Sequence, residues 1–317
     1  MIDEPKPSVV TIGNFDGLHA GHRQIMRRVA RIANQNGWTP TVLTFDPHPT
    51  RLIAPDRAPR LLTSPEQRVD FMRAEGIERV EVLPFTREVA NLTPEEFVSS
   101  ILIDKLHARA ILVGENFRFG HRAAGNIETL RDLGPKYGFR TETVAPVLRR
   151  NRMVSSSEVR RLIEFGNVSA ACRMLERPYE LAGRVVAGHG IGSRQTVPTL
   201  NLETSAEVLP AVGVYITRTF EVDTSRVWDS ITNIGHRPTF GGAGLTIETF
   251  LLSPFSGETP SRIRVQFLHR VRDERKFDTP DDLKRQIMKD VGRAHSFFRR
   301  SERFRFAAGG TKKGCET

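Results

Sequence analysis

Two imidazoles and three glycines are concentrated in the run Gly13-Asn14-Phe15-Asp16-Gly17-Leu18-His19-Ala20-Gly21-His22. Before it, Ser8 to Ile12 is β-branched enough to read as a buried strand. After it, Ile25, Val29, Ile32 and Ala33 share one helical face, and Gly37 ends the helix. His19 and His22 therefore fall at the incoming end of a helix, three residues apart, and can project on the same side. Free N–H groups and the positive end of the helix dipole favour phosphate there, by roughly 0.3–1 kcal/mol for a singly charged exposed group. Gly13, Gly17 and Gly21 let the backbone approach a ligand with no Cβ in the way. Neutral imidazoles can donate to a bound phosphate and stabilise the charge that builds when an α-phosphorus is attacked. These residues suggest a nucleotide site. The plainer alternative is a glycine-rich turn with one capping and one solvated histidine.

Other polar segments are spaced along the chain. Gly114-Glu115-Asn116-Phe117-Arg118-Phe119-Gly120 follows a strand-like run, where Asn116 offers an amide, and Phe117 or Phe119 could pack a ligand ring or belong to the core. Ser155-Ser156-Ser157-Glu158-Val159-Arg160 opens a helix, at its plainest a serine N-cap followed by a solvated arginine. In Phe45-Asp46-Pro47-His48-Pro49, His48 suits the fixing of a loop. Later come Pro198-Thr199-Leu200-Asn201, the turn Asn233-Ile234-Gly235-His236-Arg237-Pro238-Thr239, and Glu248 within Ile247-Glu248-Thr249. An isolated carboxylate in an apolar strand ordinarily faces outward.

The first run resembles the GxFDGxHxGH signature of the HxGH nucleotidyltransferases, in the form found in bacterial bifunctional riboflavin kinase/FAD synthetases. Residues 114–120 are similar to that family's VGxxFRFG element, 45–49 to its FxPHP segment, and 155–160 to its SSTxxR motif, with Ser157 in place of threonine. The later elements resemble the riboflavin kinase module. Arg264-Val265-Gln266-Phe267-Leu268 and the stretch from Val271 to Asp278 resemble its end, so the likeness runs to about residue 300. For the first half it implies that His19 and His22 stabilise the transition state of FMN adenylylation. It further implies that Gly13, Phe15, Asp16, Gly17, Asn116, Ser155 and Ser156 bind ATP, and that Arg160 holds its phosphates. For the second half it implies MgATP on Pro198, Thr199 and Asn201, with Thr199 and Asn201 as the Mg²⁺ ligands. Glu248 would accept the proton of the riboflavin 5′-hydroxyl, a role typically worth about 10²–10⁴ in rate. Hard oxygen donors such as a threonine hydroxyl and an asparagine carbonyl suit Mg²⁺. One departure stands out. The family has Gly-Phe before PTxN, preceded by a Gly-Arg pair, whereas here Thr196-Val197 follows Gly192-Ser193-Arg194-Gln195. Arg194 is expected to supply the missing positive charge.

The elements that must position these groups follow two patterns. In the first half, strands at Ser8 to Ile12, Thr41 to Phe45, Arg79 to Leu83 and Ala110 to Val113 alternate with helical periodicity at Pro65 to Glu75 and Pro94 to Leu106, each helix with proline in its first turn. This predicts an α/β nucleotidyltransferase domain, a Rossmann-like parallel sheet with ligands at the carboxyl ends of its strands. After Leu175, short strands at Glu180 to Val186, Val212 to Phe220, Trp228 to Asn233, Leu245 to Leu252 and Ile263 to His269 predict an antiparallel β-barrel. A closing helix from Thr279-Pro280-Asp281 is expected to bury Leu283, Ile287 and Val291. The expected domains are residues 1–176 for FMN adenylylation and 177–305 for riboflavin phosphorylation, with a disordered tail at 306–317.

Composition narrows the classes. The 317 residues can form two cores, and 38% hydrophobic content fits a globular protein. No apolar run approaches a membrane span, and MIDEPKPSVV lacks the basic-then-apolar order of a signal peptide, so a cytoplasmic location is expected. Cys172 and Cys315 have no metal-ligand spacing, and no disulfide framework or zinc site is expected. The net charge of +10 raises nucleic-acid binding, but basic residues are interspersed with acidic ones, and their clearest cluster is Arg299-Arg300 with Arg303 and Arg305. A basic surface equally suits polyanionic substrates such as ATP and FMN. The expected function is therefore ATP-dependent phosphorylation of riboflavin to FMN, then adenylylation of FMN to FAD with release of pyrophosphate. Riboflavin, FMN and ATP would be substrates and Mg²⁺ the cofactor. The alternatives are a single-activity nucleotidyltransferase with a non-catalytic flavin-binding barrel, and a basic nucleic-acid-binding protein. No feature speaks to oligomeric state.

Overall fold

In the computed structural model, residues 5–186, 199–237, 244–253 and 258–307 are described. The chain divides into two compact units at Ser156/Ser157.

The first unit is built on a parallel sheet of β1 (Ser8–Ile12), β2 (Thr39–Asp46), β3 (Arg79–Pro84), β4 (Ala108–Gly114) and β5 (Arg140–Val144), in the order β3-β2-β1-β4-β5. Between them run α1 (Ala20–Asn36), α2 (Pro49–Ile53), α3 (Pro65–Ala74), α4 (Arg87–Asn91), α5 (Pro94–Glu96) and α6 (Ile127–Tyr137). All five residues of β1 are buried, because a parallel sheet is covered on both faces. On one face Val9, Val42 and Leu112 meet Ile25, Met26, Val29 and Ile32 of α1. On the other, Val10, Leu43 and Ile111 meet Phe97, Leu102 and Leu130. Each such side chain contributes about 1.5–3 kcal/mol when fully buried. Strand order reverses about β1, so the loops after β1 and β4 leave toward opposite faces and open a crevice between them. β5 was not anticipated: RTETV alternates only weakly, as an edge strand can. The expected helix from Pro94 is present, but Phe97–Lys105 winds as a π-helix. A short hairpin of β6 (Leu148–Arg149) and β7 (Arg152–Met153) ends the unit.

The second unit contains α7 (Ser156–Glu164), which begins at the division, α8 (Val168–Leu175), and a closed barrel. The barrel strands are β8 (Tyr179–Val186), β9 (Thr199–Glu203), β10 (Gly213–Glu221), β11 (Val227–Arg237), β12 (Gly244–Leu251) and β13 (Arg262–Arg272), paired antiparallel in the order β10-β11-β12-β9-β8-β13. The two helices group with the barrel because Ser169 Oγ donates to the Leu268 carbonyl (2.9 Å) and Arg270 donates to the Phe165 carbonyl (3.3 Å). The division thus falls before α7, ahead of the composition change near Arg177. Alternation puts Tyr215, Thr217, Ser230, Thr232, Ile247 and Thr249 on the barrel's buried side, where the hydroxyls satisfy one another at 2.8–3.0 Å.

The last helix, α9 (Pro280–Ala307), corrects one expectation. Leu283 and Ile287 are exposed and Val291 only partly buried, whereas Gln286, Asp290, Ala294 and Phe298 form the buried stripe. A polar network decides the face: Arg272 donates to Asp290 (2.8 Å), Gln286 donates to Asp290 (2.8 Å), and Arg275 donates to Gln286. Cys172 is buried on α8. Of the expected tail 306–317, residues 306 and 307 lie in α9 and the rest lie outside the described residues.

Candidate active sites

The loop from Gly13 to His19 leaves the carboxyl end of β1, and α1 begins one residue later. His19 is the N-cap of α1, its Nδ1 accepting the backbone N–H of His22 at 3.4 Å. That leaves Nε2 as the protonated nitrogen of the neutral ring. The rings of His19 and His22 stack with centroids 3.6 Å apart and planes 20° from parallel, and Phe15 meets His22 edge-on at 5.1 Å. Burial pushes the His19 pKa down to about 4, against smaller upward effects of its backbone hydrogen bond and Asp16. Burial and the neighbouring His19 hold His22 well below its usual value. Both rings are therefore neutral near pH 7 and act as N–H donors without bringing charge. His22 Nδ1 is buried with no hydrogen-bond partner among the described residues.

Asp16 is buried, and its carboxylate accepts from the Leu62 N–H (2.9 and 3.1 Å), the Thr63 N–H (3.2 Å) and Thr63 Oγ1 (3.2 Å). It ties the β1–α1 loop to the segment before α3. Gly17 continues the tie, its N–H donating to Thr63 Oγ1 (3.2 Å), with φ +76° and a would-be Cβ 2.6 Å from Leu62 Cδ1. Only glycine fits that position. Ser156 Oγ donates to the Asp16 carbonyl at 2.9 Å, which brings the serine motif onto the same loop. Arg160 lies one turn beyond Ser156 on α7, the same helical face. Ser155 immediately precedes that helix. Asn116 is exposed in the loop after β4, at the same end of the sheet as Gly13, while Phe119 is buried against Phe97 and stacked on Phe117.

Three partners in this site carry weak sequence signals. Asn14 lies with its amide 3.0 Å from His48 Nε2, and His48 caps α2 by accepting the Thr50 N–H. Thr63 belongs to a turn with no motif. Arg68, in the middle of α3, is 2% exposed and donates to the Asn14 carbonyl at 2.9 Å. Burial lowers its pKa, opposed by Asp16 and Asp46, and a guanidinium stays charged.

In the barrel, register assembles the second group. Asn201 pairs with Glu248 and Glu248 with Asn233, so three polar side chains form one row across β9, β12 and β11. Thr199 pairs with Phe250 and shares its face with Asn201, two residues on. Their neighbours Leu200, Ile247 and Thr249 are buried, so the row faces away from the barrel interior. A Cβ at Gly235 would collide with the Glu274 carboxylate, which places Glu274 beside Asn233 at the end of this row. Pro198 and Arg194 lie outside the described residues, so only Thr199 and Asn201 of the expected MgATP segment can be placed.

Residues 1–158 match the family model for FAD synthetase and residues 175–298 that for riboflavin kinase. The bifunctional riboflavin kinase/FMN adenylyltransferase of Escherichia coli (strain K12) is 32% identical across 92% of this chain and 92% of its own length. The chain belongs to this family. The Pseudomonas fluorescens member is 34% identical across 92% of this chain and 94% of its own. In this chain the FAD synthetase match precedes the riboflavin kinase match, and the chain has both activities, which sets aside the single-activity alternative. Riboflavin, FMN and ATP are the substrates the family implies. A macrolide-efflux protein from Streptococcus pneumoniae has the same fold (TM-score 0.82, 28% identity, 93% of this chain and 95% of that one). No helix among the described residues here is long and apolar enough to cross a membrane.

Proposed function

We propose that the β1–α1 site carries FMN adenylylation through His19 and His22, and that the row Asn201–Glu248–Asn233 carries riboflavin phosphorylation. The stacked neutral histidines at the start of α1 are the observation that most supports the first half. An FMN phosphate oxygen attacks the α-phosphorus of ATP, the bond to the β-phosphate oxygen breaks, and pyrophosphate leaves. Charge grows on the α-phosphate oxygens as this happens. Two imidazole N–H donors, with the first N–H groups of α1, meet that charge at fixed positions, so positioning and electrostatics supply the catalysis. Gly13, Phe15 and Gly17 shape the ATP seat, Asn116, Ser155 and Ser156 line it, and Arg160 holds the departing phosphates. Asp16 serves the same seat indirectly, by holding the loop against Leu62 and Thr63.

In the barrel, Glu248 accepts the proton of the riboflavin 5′-hydroxyl as its oxygen attacks the γ-phosphorus, giving FMN and ADP. Asn233 and Asn201, paired on either side of Glu248, orient the two reactants. The Thr199 hydroxyl and the Asn201 carbonyl, on one face of β9, fit Mg²⁺, a hard cation that takes oxygen donors and keeps several waters. When bound it would neutralise charge on the ATP phosphates. Arg194 and Pro198 complete the phosphate side in this reading. The location is cytoplasmic. The test is to follow riboflavin, FMN and FAD by chromatography in one reaction with MgATP. His22→Ala is expected to stop FAD while FMN accumulates. Equal loss of both products from a folded protein would defeat the assignment.

A further inference from the structure

Within the β1–α1 loop, Phe15 and Leu18 adopt φ of 49° and 41°. A non-glycine residue in the left-handed region is strained, and such backbone persists only where its surroundings over-determine it. Part of that support is the Asp16 carboxylate on Leu62 and Thr63. Gly17 N–H on Thr63 Oγ1, Leu18 N–H on the Phe15 carbonyl and Ser156 Oγ on the Asp16 carbonyl add to it, and at the head of the loop the Asn14 carbonyl oxygen accepts from Arg68 at 2.9 Å and from Thr44 Oγ1 at 3.3 Å.

Arg68 is an unusual donor for such a task. An arginine on a small amphipathic helix ordinarily extends to water along its stem. Arg68 is instead 2% exposed, with its Nε buried and unpartnered among the described residues. Removing a guanidinium from water is costly, so it is held there by its contacts. Its direction has a geometric consequence. In a trans peptide the C=O of one residue and the N–H of the next are antiparallel. Drawing the Asn14 carbonyl toward Arg68 therefore turns the Phe15 N–H the opposite way.

We propose that Arg68 is a positioning residue for FMN adenylylation: it holds the Asn14 carbonyl, keeps the loop in its left-handed form, and so presents the Phe15 N–H as an anion donor ahead of the histidine pair. Arg68 itself touches no substrate. The role rests on the assignment of adenylylation to the His19/His22 site.

The test uses the full-length chain with Arg68→Met, Arg68→Lys and, as a control on the site itself, His22→Ala. Adenylylation kcat and KM for ATP are measured beside kinase turnover, which reports on the other unit. Arg68→Met is expected to lower adenylylation kcat about 100-fold, the scale of a small misplacement of reacting groups, with KM for ATP within about threefold and kinase turnover unchanged. Arg68→Lys keeps the charge without the planar fork and should fall between, about tenfold below the unmodified enzyme. If Arg68→Met does not fold, Arg68→Lys decides: a reduced adenylylation kcat at normal kinase turnover supports the role, and an unaltered kcat overturns it. A folded Arg68→Met with normal adenylylation, or with equal losses in both activities, also overturns it. If His22→Ala kept full adenylylation, the site assignment would have failed; loss in His22→Ala alone would refute only the role of Arg68.

Discussion

Replacing His19 with asparagine separates its titration from its cap. Asparagine is a good N-cap, so the His22 N–H can keep a side-chain acceptor while the ionisable ring is removed. In the folded chain the His19 pKa lies at about 4, against 6.5 for an unperturbed imidazole, because the ring is buried at 7% exposure. The unfolded chain thus binds more protons than the folded one between these values, so stability falls as pH drops through 6.5 and levels off below about 4. The full interval corresponds to roughly 3 kcal/mol, of which about 2 kcal/mol falls between pH values of about 7.5 and about 5. His22 is lowered for the same reason and adds in the same direction. The assay is urea unfolding at both pH values in a Trp228→Phe background, where Trp38 alone reports on the first unit. His19→Asn should lose about 2 kcal/mol less on acidification than its parent. Equal losses in the two proteins would refute the claim that His19 is held neutral by burial.

Asp16→Ala strands two buried N–H groups, on Leu62 and Thr63, and should destabilise the first unit by about 2–4 kcal/mol, read from the same Trp38 transition; a change below about 0.5 kcal/mol would make the ties ornamental. A barrel fragment covering about residues 177 to 305 leaves out α8, whose Val168, Ala171, Met174 and Leu175 are at most 5% exposed. It is expected to convert riboflavin to FMN but to melt at least about 5 °C below a fragment that starts at Ser157, and equal melting temperatures would show that the helices add nothing to the barrel.

Much of this arrangement is legible in the residues. The β1–α1 unit is readable because a buried β-branched run, a glycine-rich turn and a 3.6-residue stripe agree with one another. The barrel is readable from short strands at regular spacing, although β9 hides inside the Thr199–Asn201 motif and β5 in a polar edge. What escapes is contact between segments distant in sequence. Arg68 belongs to no motif, and its pattern does not reveal that the Asn14 carbonyl, 54 residues away, will need a donor. Asp16 reads as a ligand of the nucleotide because its role on Leu62 and Thr63 appears only once α3 is placed. In α9 the apolar stripe Leu283/Ile287 competes with Gln286/Asp290, and Arg272 and Arg275 decide for the polar face. Periodicity ranks residues by hydrophobicity and cannot weigh a buried, fully paired polar network.

If the two reactions occupy two separate sites, His19/His22 and Glu248, each can be lost without the other. A single experiment addresses it: product formation from riboflavin with MgATP, and from FMN with MgATP, in His22→Ala and Glu248→Gln full-length proteins. His22→Ala should make FMN at the normal rate and no FAD from either start, and Glu248→Gln should make no FMN yet convert supplied FMN to FAD normally. Glu248→Gln phosphorylating riboflavin at a near-normal rate, or either substitution silencing both reactions in a folded protein, would contradict it.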